Sequence, residues 1–469
     1  MNLGTFDAEQ TMLIIGLGKS GLASVAVLRA RGVTVYATDE KPPEDLADAI
    51  AKIESCGAAF VSPDSLATVA SSLTSAVLSP GVPLTSPLVR EVQRHNVPVF
   101  GEIEVAYRLC KAPIIAVTGT KGKSTTTALI GHLLRECGKR VFVGGNIGNP
   151  LIHEVLDAGP GDWVVAEVSS FQLETIRAFK PRVAVLLNIA PDHLDRYFSM
   201  DEYAEAKYRI FANQSHSDFF VGNLDDSRID ALDVSRGEPR MQSRQLWFTL
   251  HDRRDNATMY LHADALTYAP IAGDPRPVAI VKRDEIPLAG EHNVQNVMAA
   301  MLAALAIGCD PVRLREALRS FRPMPHRLEP VGEIDGVLYV DDSKSTNPGS
   351  VIAALRAYDR PVVLIAGGRS KGTDFIELGV AIRQRAKALV VMGEAADEIA
   401  RAAQGVPTTR AESMIDAVAR ARAAALPGDA VVLSPGCASF DMFRSAEDRG
   451  EQFVAAVMAL REIKAGSGA

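Results

Sequence analysis

The chain has 469 residues, more than one ordinary domain holds, so roughly two to four domains are expected. Its composition is globular, 47% hydrophobic and 23% charged. The formal net charge of −7 argues against a protein whose main task is holding nucleic acid, while leaving room for a local basic pocket.

The five cysteines, at 56, 110, 137, 309 and 437, are scattered and form no C-x-x-C. Neither a disulfide framework nor a zinc ribbon is suggested, and a reduced, cytoplasmic compartment is expected. The first ten residues have no basic region followed by a long apolar one, so no signal peptide is expected. The longest apolar stretch, Val297 to Ile307, is too short to span a membrane.

Strand-like β-branched runs alternate with helical patterns from end to end, the pattern of α/β layers with parallel sheets. The first block opens with the strand Met12-Leu13-Ile14-Ile15 and runs to about Phe100. Gly16-Leu17-Gly18-Lys19-Ser20-Gly21 follows that strand, and Asp39 ends the next one. Taken alone this is a dinucleotide fingerprint, with the acid aimed at a ribose hydroxyl. It serves equally as a tight turn in a sheet that binds another ligand.

The second block starts near Ala112-Pro113. Ile114-Ile115-Ala116-Val117 reads as a strand, Gly119-Thr120-Lys121-Gly122-Lys123-Ser124-Thr125 as a phosphate-binding loop, and Thr126 to Cys137 as a helix. Successive backbone N–H groups and the helix N-terminus would cradle phosphate. Lys123 would neutralise its charge, and the Ser124 or Thr125 hydroxyl would sit on magnesium. The first glycine of the usual longer pattern is missing, since Val117 stands there. Further buried strands are expected at Trp163–Ala166 and Val183–Leu187.

Glu167 ends the first of these, where an acid in a phosphate-loop sheet is placed to hold magnesium. His193, in Asp192-His193-Leu194-Asp195, follows the second, and metal or substrate contact competes there with a structural role. Lys207 lies in the helical pattern Asp201 to Ile210, and spacing alone makes it a solvated surface lysine. His292-Asn293 and Asn296 open the helix that continues through Val297. Their amides would share a face and suit a purine edge or a helix cap.

The stretch from about 225 to 285 is polar, with short strand candidates, and the link Arg322-Pro323-Met324-Pro325 opens the third block. His326-Arg327 sits in that link, where the arginine would reach a phosphate or form an interdomain ion pair. Strands are expected at Val337–Val340, Val362–Ile365 and Ala430–Leu433. Each is followed by a polar site: Asp341 to Asn347, Lys371 after Gly367-Gly368, and Ser439 after Ser434-Pro435-Gly436. Three such strand ends would converge on one sheet edge, where open α/β sheets bind ligands.

The ordered set G-T-K-G-K-S-T, G-N-I-G (145–148), E-V-S-S-F-Q-L (167–173), D-H-L-D-R-Y (192–197), G-E-H-N (290–293), H-R-L-E (326–329), D-S-K-S-T-N (342–347) and L-S-P-G-C-A-S-F-D (433–441) resembles the Mur ligase family over nearly the whole chain. These are ATP-dependent amino-acid ligases of peptidoglycan precursor synthesis, and the chain looks most like the D-glutamate-adding branch. The resemblance implies three domains: a Rossmann-like substrate domain (1–102), a central P-loop ATPase-like domain (103–322) and a Rossmann-like glutamate domain (323–469).

The resemblance also implies roles. Gly16, Leu17, Gly18, Lys19, Ser20 and Asp39 look like a uridine-diphosphate site, with Ser79-Pro80-Gly81 beside it. Asn146 matches a substrate contact. Gly119 to Thr125, Asn293, Asn296, Arg327, Asp342 and Lys344 match ATP-side positions. Ser124, Glu167, His193 and Lys207 match magnesium-associated positions, Lys207 being the lysine that the family carbamylates. Thr346, Lys371 and Ser439 match positions that hold glutamate, and Lys123, His193, Lys207 and Arg327 are the catalytic set.

The expected partners are therefore UDP-N-acetylmuramoyl-L-alanine, glutamate and ATP, acting on a monomer with no nucleic acid and no membrane insertion. Lys121 stands where the D-glutamate enzymes usually have Asn, as in a related branch that adds L-glutamate, and Ala446 stands where the pattern has Phe. L-glutamate is thus the alternative substrate. A nicotinamide-dependent oxidoreductase built on Gly16–Gly21 and a non-catalytic nucleotide sensor are the alternatives of other classes.

Overall fold

The computed structural model describes residues 6–146, 148–192, 196–232, 241–252, 256–270, 276–322, 325–370 and 374–466. His193, Lys371 and the Pro323-Met324 part of the proposed link lie outside the described residues. The chain forms two compact units. One comprises residues 1–283 and 295–320, the other 284–294 and 321–469.

Among the described residues the strands form three sheets of five, nine and six strands. The first holds β1 (Thr11–Ile15), β2 (Thr34–Thr38), β3 (Ala59–Phe60), β4 (Ser75–Leu78) and β5 (Val99–Gly101), in the order β3-β2-β1-β4-β5. All its pairings are parallel. β1 is apolar at four successive positions because helices and loops cover both of its faces. The order reverses at β1, so the loop 16–21 lies at a switch point, where ligands enter such sheets. Asp39 stands one residue past β2 rather than ending it.

The second sheet holds β6 (Ile114–Thr118), β7 (Val141–Gly145), β8 (Trp163–Glu167), β9 (Val183–Leu186), β10 (Phe219–Asn223), β11 (Arg244–Thr249), β12 (Ala257–His262), β13 (Ala265–Tyr268) and β14 (Val278–Lys282). Their order is β14-β13-β12-β11-β10-β9-β6-β8-β7. The β7 to β12 part is parallel, and β13 and β14 extend it as antiparallel hairpins. The polar stretch 225–285 thus contributes β11 to β14. β6 is buried at all five positions and has β8 and β9 as neighbours. The helix after the phosphate loop spans Lys123–Glu136, starting three residues before the apolar periodicity because Lys123, Ser124 and Thr125 already belong to its first turn.

The third sheet holds β15 (Glu329–Ile334), β16 (Val337–Asp341), β17 (Val362–Gly367), β18 (Ala386–Met392), β19 (Thr408–Arg410) and β20 (Ala430–Gly436), in the order β15-β16-β20-β17-β18-β19. β15 pairs antiparallel with β16; the rest is parallel. Apolar clusters cover both faces. The strand preceding Asp342 is therefore the second of this unit, not its first. β16, β20 and β17 are adjacent and parallel, so their carboxyl ends and the polar loops that follow share one edge.

Candidate active site

The phosphate loop turns between β6 and its helix on two glycines that no other residue replaces. Gly119 has φ 153° and Gly122 φ 82°. A Cβ on Gly122 would lie 2.2 Å from Asn296 Oδ1, and one on Gly119 3.0 Å from the Leu187 Cβ. Asn296, 3% exposed, is thus packed directly against the loop. Lys123 Nζ folds back over it, donating to the carbonyl oxygens of Gly119 at 3.0 Å and Thr120 at 2.9 Å.

Asn188, which follows β9, straps the same loop. Its side chain accepts from the Lys121 N–H at 2.8 Å and donates to the Lys121 carbonyl at 3.0 Å, while its own carbonyl accepts from Thr120 N. The strap reads only the backbone of residue 121, so this grip does not depend on which side chain stands there.

Lys207 is 1% exposed, the reverse of the surface lysine that its helical spacing suggests. It sits in the helix Met200–Tyr208, which Ser199 caps by accepting from Glu202 N–H. Its Nζ donates to Gly119 O at 2.9 Å and lies 4.5 Å from the Tyr203 ring centroid, one helical turn back. Burial, then the charge of Lys123, holds its pKa well below the usual lysine value, with Asp192 opposing. Tyr203 and Thr120 hydroxyls are 3.3 Å apart, and burial pushes the phenol up to about 12.

Glu167 ends β8 in register with Val117 of β6 and Gly145 of β7, which sets it beside the phosphate loop. It is 2% exposed. Oε1 accepts from Asn146 Nδ2 at 2.9 Å; Oε2 is buried with no hydrogen-bond partner among the described residues. A buried, unsatisfied carboxylate oxygen is costly unless a cation meets it. Ser124, also buried, begins the loop's helix.

Asn146 has a second surface. It lines a cavity of about 500 Å3 together with Gly16, Gly18, Lys19, Ser20, Asp39, Ser79, Pro80 and Gly81. Leu17 is buried and contributes its N–H to Asp39 Oδ2 at 2.7 Å, which ties the loop to the end of β2. Ser79 Oγ donates to Gly16 O at 2.7 Å. A Cβ on Gly21 would sit 1.9 Å from Gly16 O, so the third glycine closes the turn.

In the second unit, Asn293 is buried in the first turn of the helix Glu291–Ala306 and donates to Ala289 O at 2.7 Å. His326 and Leu328, on either side of Arg327, both have left-handed backbone, φ 64° and 45°. His326 Nδ1 is 2.7 Å from Asp341 Oδ2, and Asp342 Oδ1 accepts from Leu328 N–H at 3.2 Å. Asp342 Oδ2 accepts from Ser434 Oγ at 2.7 Å. Burial raises the Asp342 carboxyl to about 6, against hydrogen bonds from Ser345, Ser434 and Leu328 and the charge of Arg327.

Lys344 pairs with Glu447, whose carboxyl that hydrogen bond lowers to about 2. Thr346 is half-buried, Ser439 is 2% exposed, and Gly436 N–H donates to Ser345 O at 2.8 Å, so their two loops touch. Ala446 opens the helix Ala446–Gly466, and its carbonyl accepts from Ser343 Oγ at 2.7 Å.

Asn188 and Tyr203, both in contact with the loop 119–125, are residues that sequence reasoning missed. Tyr203 alone left a signal, its position four residues before Lys207.

Three family profiles match the chain in the order of its sheets: the MurD-like N-terminal domain over residues 10–101, the Mur ligase middle domain over 117–304, and the glutamate ligase domain over 326–437. The UDP-N-acetylmuramoylalanine–D-glutamate ligase of Pelotomaculum thermopropionicum is 44% identical over 464 residues, covering 97% of this chain and 98% of that protein. The chain belongs to the Mur ligase family.

A ligase of the same name from Syntrophotalea carbinolica is 41% identical, covering 96% of this chain and 98% of its own. Among solved structures, UDP-N-acetylmuramate-alanine ligase MurC from Thermotoga maritima superposes with TM-score 0.58 at 20% identity over 96% of this chain and 99% of that one. MurF from Acinetobacter baumannii gives 0.59 at 17%, covering 90% and 91%. At these identities the likeness is one of fold. As in other Mur ligases, the fold is three-domain α/β. Among the described residues no helix is long and apolar enough to cross a membrane.

Proposed function

We propose that this Mur ligase joins D-glutamate to UDP-N-acetylmuramoyl-L-alanine at the expense of ATP, as a cytoplasmic monomer with domains 1–102, 103–322 and 323–469. The observation that carries this reading is the near full-length match, at 37–44% identity, to relatives named for that ligation. L-glutamate remains the substrate alternative, on Lys121 and Ala446. The oxidoreductase reading gains no support, because nicotinamide chemistry has no use for the loop 119–125.

A carboxylate does not accept an amine at neutral pH, since oxide or hydroxide is a poor leaving group. Transfer of the γ-phosphoryl group of ATP to the substrate carboxylate makes an acyl phosphate. The glutamate amine attacks the acyl carbon, a tetrahedral intermediate forms, and phosphate leaves with one oxygen of the original carboxylate. Lys123, which already reaches over the loop, and Arg327 would offset charge on the transferred group.

The cavity lined by Gly16–Ser20, Asp39 and Ser79–Gly81 would hold the uridine diphosphate end. Asn146, between that cavity and Glu167, would set the acceptor carboxylate beside the phosphate loop. Asn293, Asn296, Asp342 and Lys344 would hold ATP. Thr346, Lys371 and Ser439 would orient glutamate so that attack is effectively unimolecular.

Magnesium would be held by Ser124, Glu167, His193 and Lys207 and would supply charge compensation for the phosphates. The unsatisfied Glu167 Oε2 fits this donor set. Lys207 fits it once carbamylated: its neutral amine adds to CO2, releases a proton and becomes an anionic carbamate. The lowered pKa of the buried amine favours that reaction, because only the neutral form is nucleophilic.

The test is isotopic. With 18O in the carboxylate of UDP-N-acetylmuramoyl-L-alanine, the phosphate released should carry one labelled oxygen. Unlabelled phosphate would overturn the acyl-phosphate route.

A further inference from the structure

The helix Ala446–Gly466 buries an arginine that none of the steps above uses. Arg449 is 1% exposed, and it is the largest fully buried side chain among the described residues. Its guanidinium makes three hydrogen bonds. Nε donates to Ser343 Oγ at 3.0 Å, Nη2 to Ser343 O at 2.8 Å, and Nη1 to Cys437 O at 3.2 Å. All three hydrogen-bond acceptors are neutral; the Asp341 and Asp441 carboxylates act on the guanidinium through their charge.

Its partners are not arbitrary. Ser343 lies in the loop after β16, three residues before Thr346; Cys437 lies in the loop after β20, two residues before Ser439. A third loop leans on the same group, since a Cβ on Gly368, after β17, would be 3.3 Å from Nη1. The next residue, Gly450, lets the helix approach this closely: a Cβ there would meet His326 Nδ1 at 2.2 Å and Asp341 Oδ2 at 2.8 Å. A planar fork with donors on two sides holds two segments in a fixed relative geometry, which a freely rotating ammonium does not impose and an apolar side chain cannot supply.

We propose that Arg449 is a positioning residue for the amino-acid substrate: by clamping Ser343 and Cys437 it sets the distance between Thr346 and Ser439, so that both meet one glutamate. The inference rests on the reading that Thr346 and Ser439 hold glutamate. Arg449 itself touches no substrate. It acts through the two loops, and the Gly436 N–H to Ser345 O hydrogen bond described above is a direct backbone link between their segments.

Arg449→Lys keeps the charge and loses the fork. It should raise KM for glutamate at least about tenfold, as expected when a reacting group is misplaced by a fraction of an ångström to an ångström. KM for the UDP substrate, whose cavity belongs to the other compact unit, should stay within about twofold. Hydrogen exchange at the Gly436 amide should quicken. Ser343→Ala, which removes one acceptor and leaves Arg449 in place, is the milder variant should the lysine form not fold, and should shift the same two quantities in the same direction.

An unchanged KM for glutamate, or an equal rise for both substrates, would overturn the proposal. So would unchanged exchange at Gly436. If the unaltered protein shows no glutamate-dependent turnover, the reading of the glutamate site fails instead, and the exchange measurement still tests the clamp.

Discussion

The ε-amine of Lys207 donates a 2.9 Å hydrogen bond to the carbonyl oxygen of Gly119, the same oxygen that accepts from Lys123 at 3.0 Å. Two amines on one neutral acceptor, inside a buried site, repel each other if both are charged. Burial, and then the charge of Lys123, holds the Lys207 pKa well below the usual lysine value. Burial and the Lys123 charge both favour the neutral amine, the form that the proposed carbamylation requires.

The carbamate account therefore predicts that Lys207→Ala lowers turnover at least about 100-fold, the scale of losing one charge-compensating group in a phosphoryl-transfer site. Formate or acetate at millimolar concentration should restore part of it by filling the place of the carbamate carboxylate. Steady-state phosphate release checks both; undiminished turnover would rule out any role for a modified Lys207.

Glu167→Gln isolates the charge from the hydrogen bond. The amide oxygen can still accept from Asn146 Nδ2, while the anionic Oε2 is gone. kcat should fall at least about 100-fold with KM for the UDP substrate changed less than about threefold. A chelator should abolish turnover in the unaltered enzyme and added magnesium restore it. A variant as active as the parent would remove Glu167 from the metal site.

Lys121→Asn tests whether the loop's unusual cation matters. Asn188 grips only the backbone of residue 121, so the exchange leaves the strap intact. Turnover should stay within about threefold, because the backbone strap is unaltered, and the preferred enantiomer of glutamate should not switch. A switch of enantiomer in side-by-side assays would make Lys121 a specificity residue.

Much of this site was legible because its chemistry is local. Gly119, Gly122, Lys123 and Ser124 lie within six residues, and the positive φ of both glycines follows from the turn that their spacing demands. The adjacent strands β16, β20 and β17 are β-branched runs whose order brings their loops together. Lys207 was illegible from spacing because Asp201, Glu202 and Glu205 make its helix read as solvated, and its burial comes from Gly119, 88 residues away. Asn188 grips the backbone of residue 121, 67 positions away, and Arg449 the Ser343 carbonyl, 106 positions away, contacts that no periodicity records. β15 escaped because Pro330 and Gly332 interrupt its alternation.

A pH signature comes from Glu102, at the start of the helix Glu102–Leu109. It is fully buried; Oε1 accepts from Ile152 N–H at 2.6 Å and Oε2 has no partner among the described residues. Burial raises its carboxyl from 4.5 to about 7. Between those values the folded chain holds a proton that the unfolded chain has lost, so stability falls as pH rises from 4.5 to about 7 and the cost is complete above it. At roughly 1.4 kcal/mol per pH unit this is on the order of 3 kcal/mol. Glu102→Gln should gain on the parent by that order between pH 4.5 and 8 in denaturant titrations; a pH-independent difference would show that Glu102 does not titrate there.

The ligation itself is tested most directly by phosphate release from ATP with UDP-N-acetylmuramoyl-L-alanine present and D-glutamate, L-glutamate or no amino acid added. Release should require both substrates, with D-glutamate as the partner, and a product heavier by one glutamyl residue should accompany it. Release with L-glutamate alone would reassign the amino acid, and release with neither enantiomer would contradict the account.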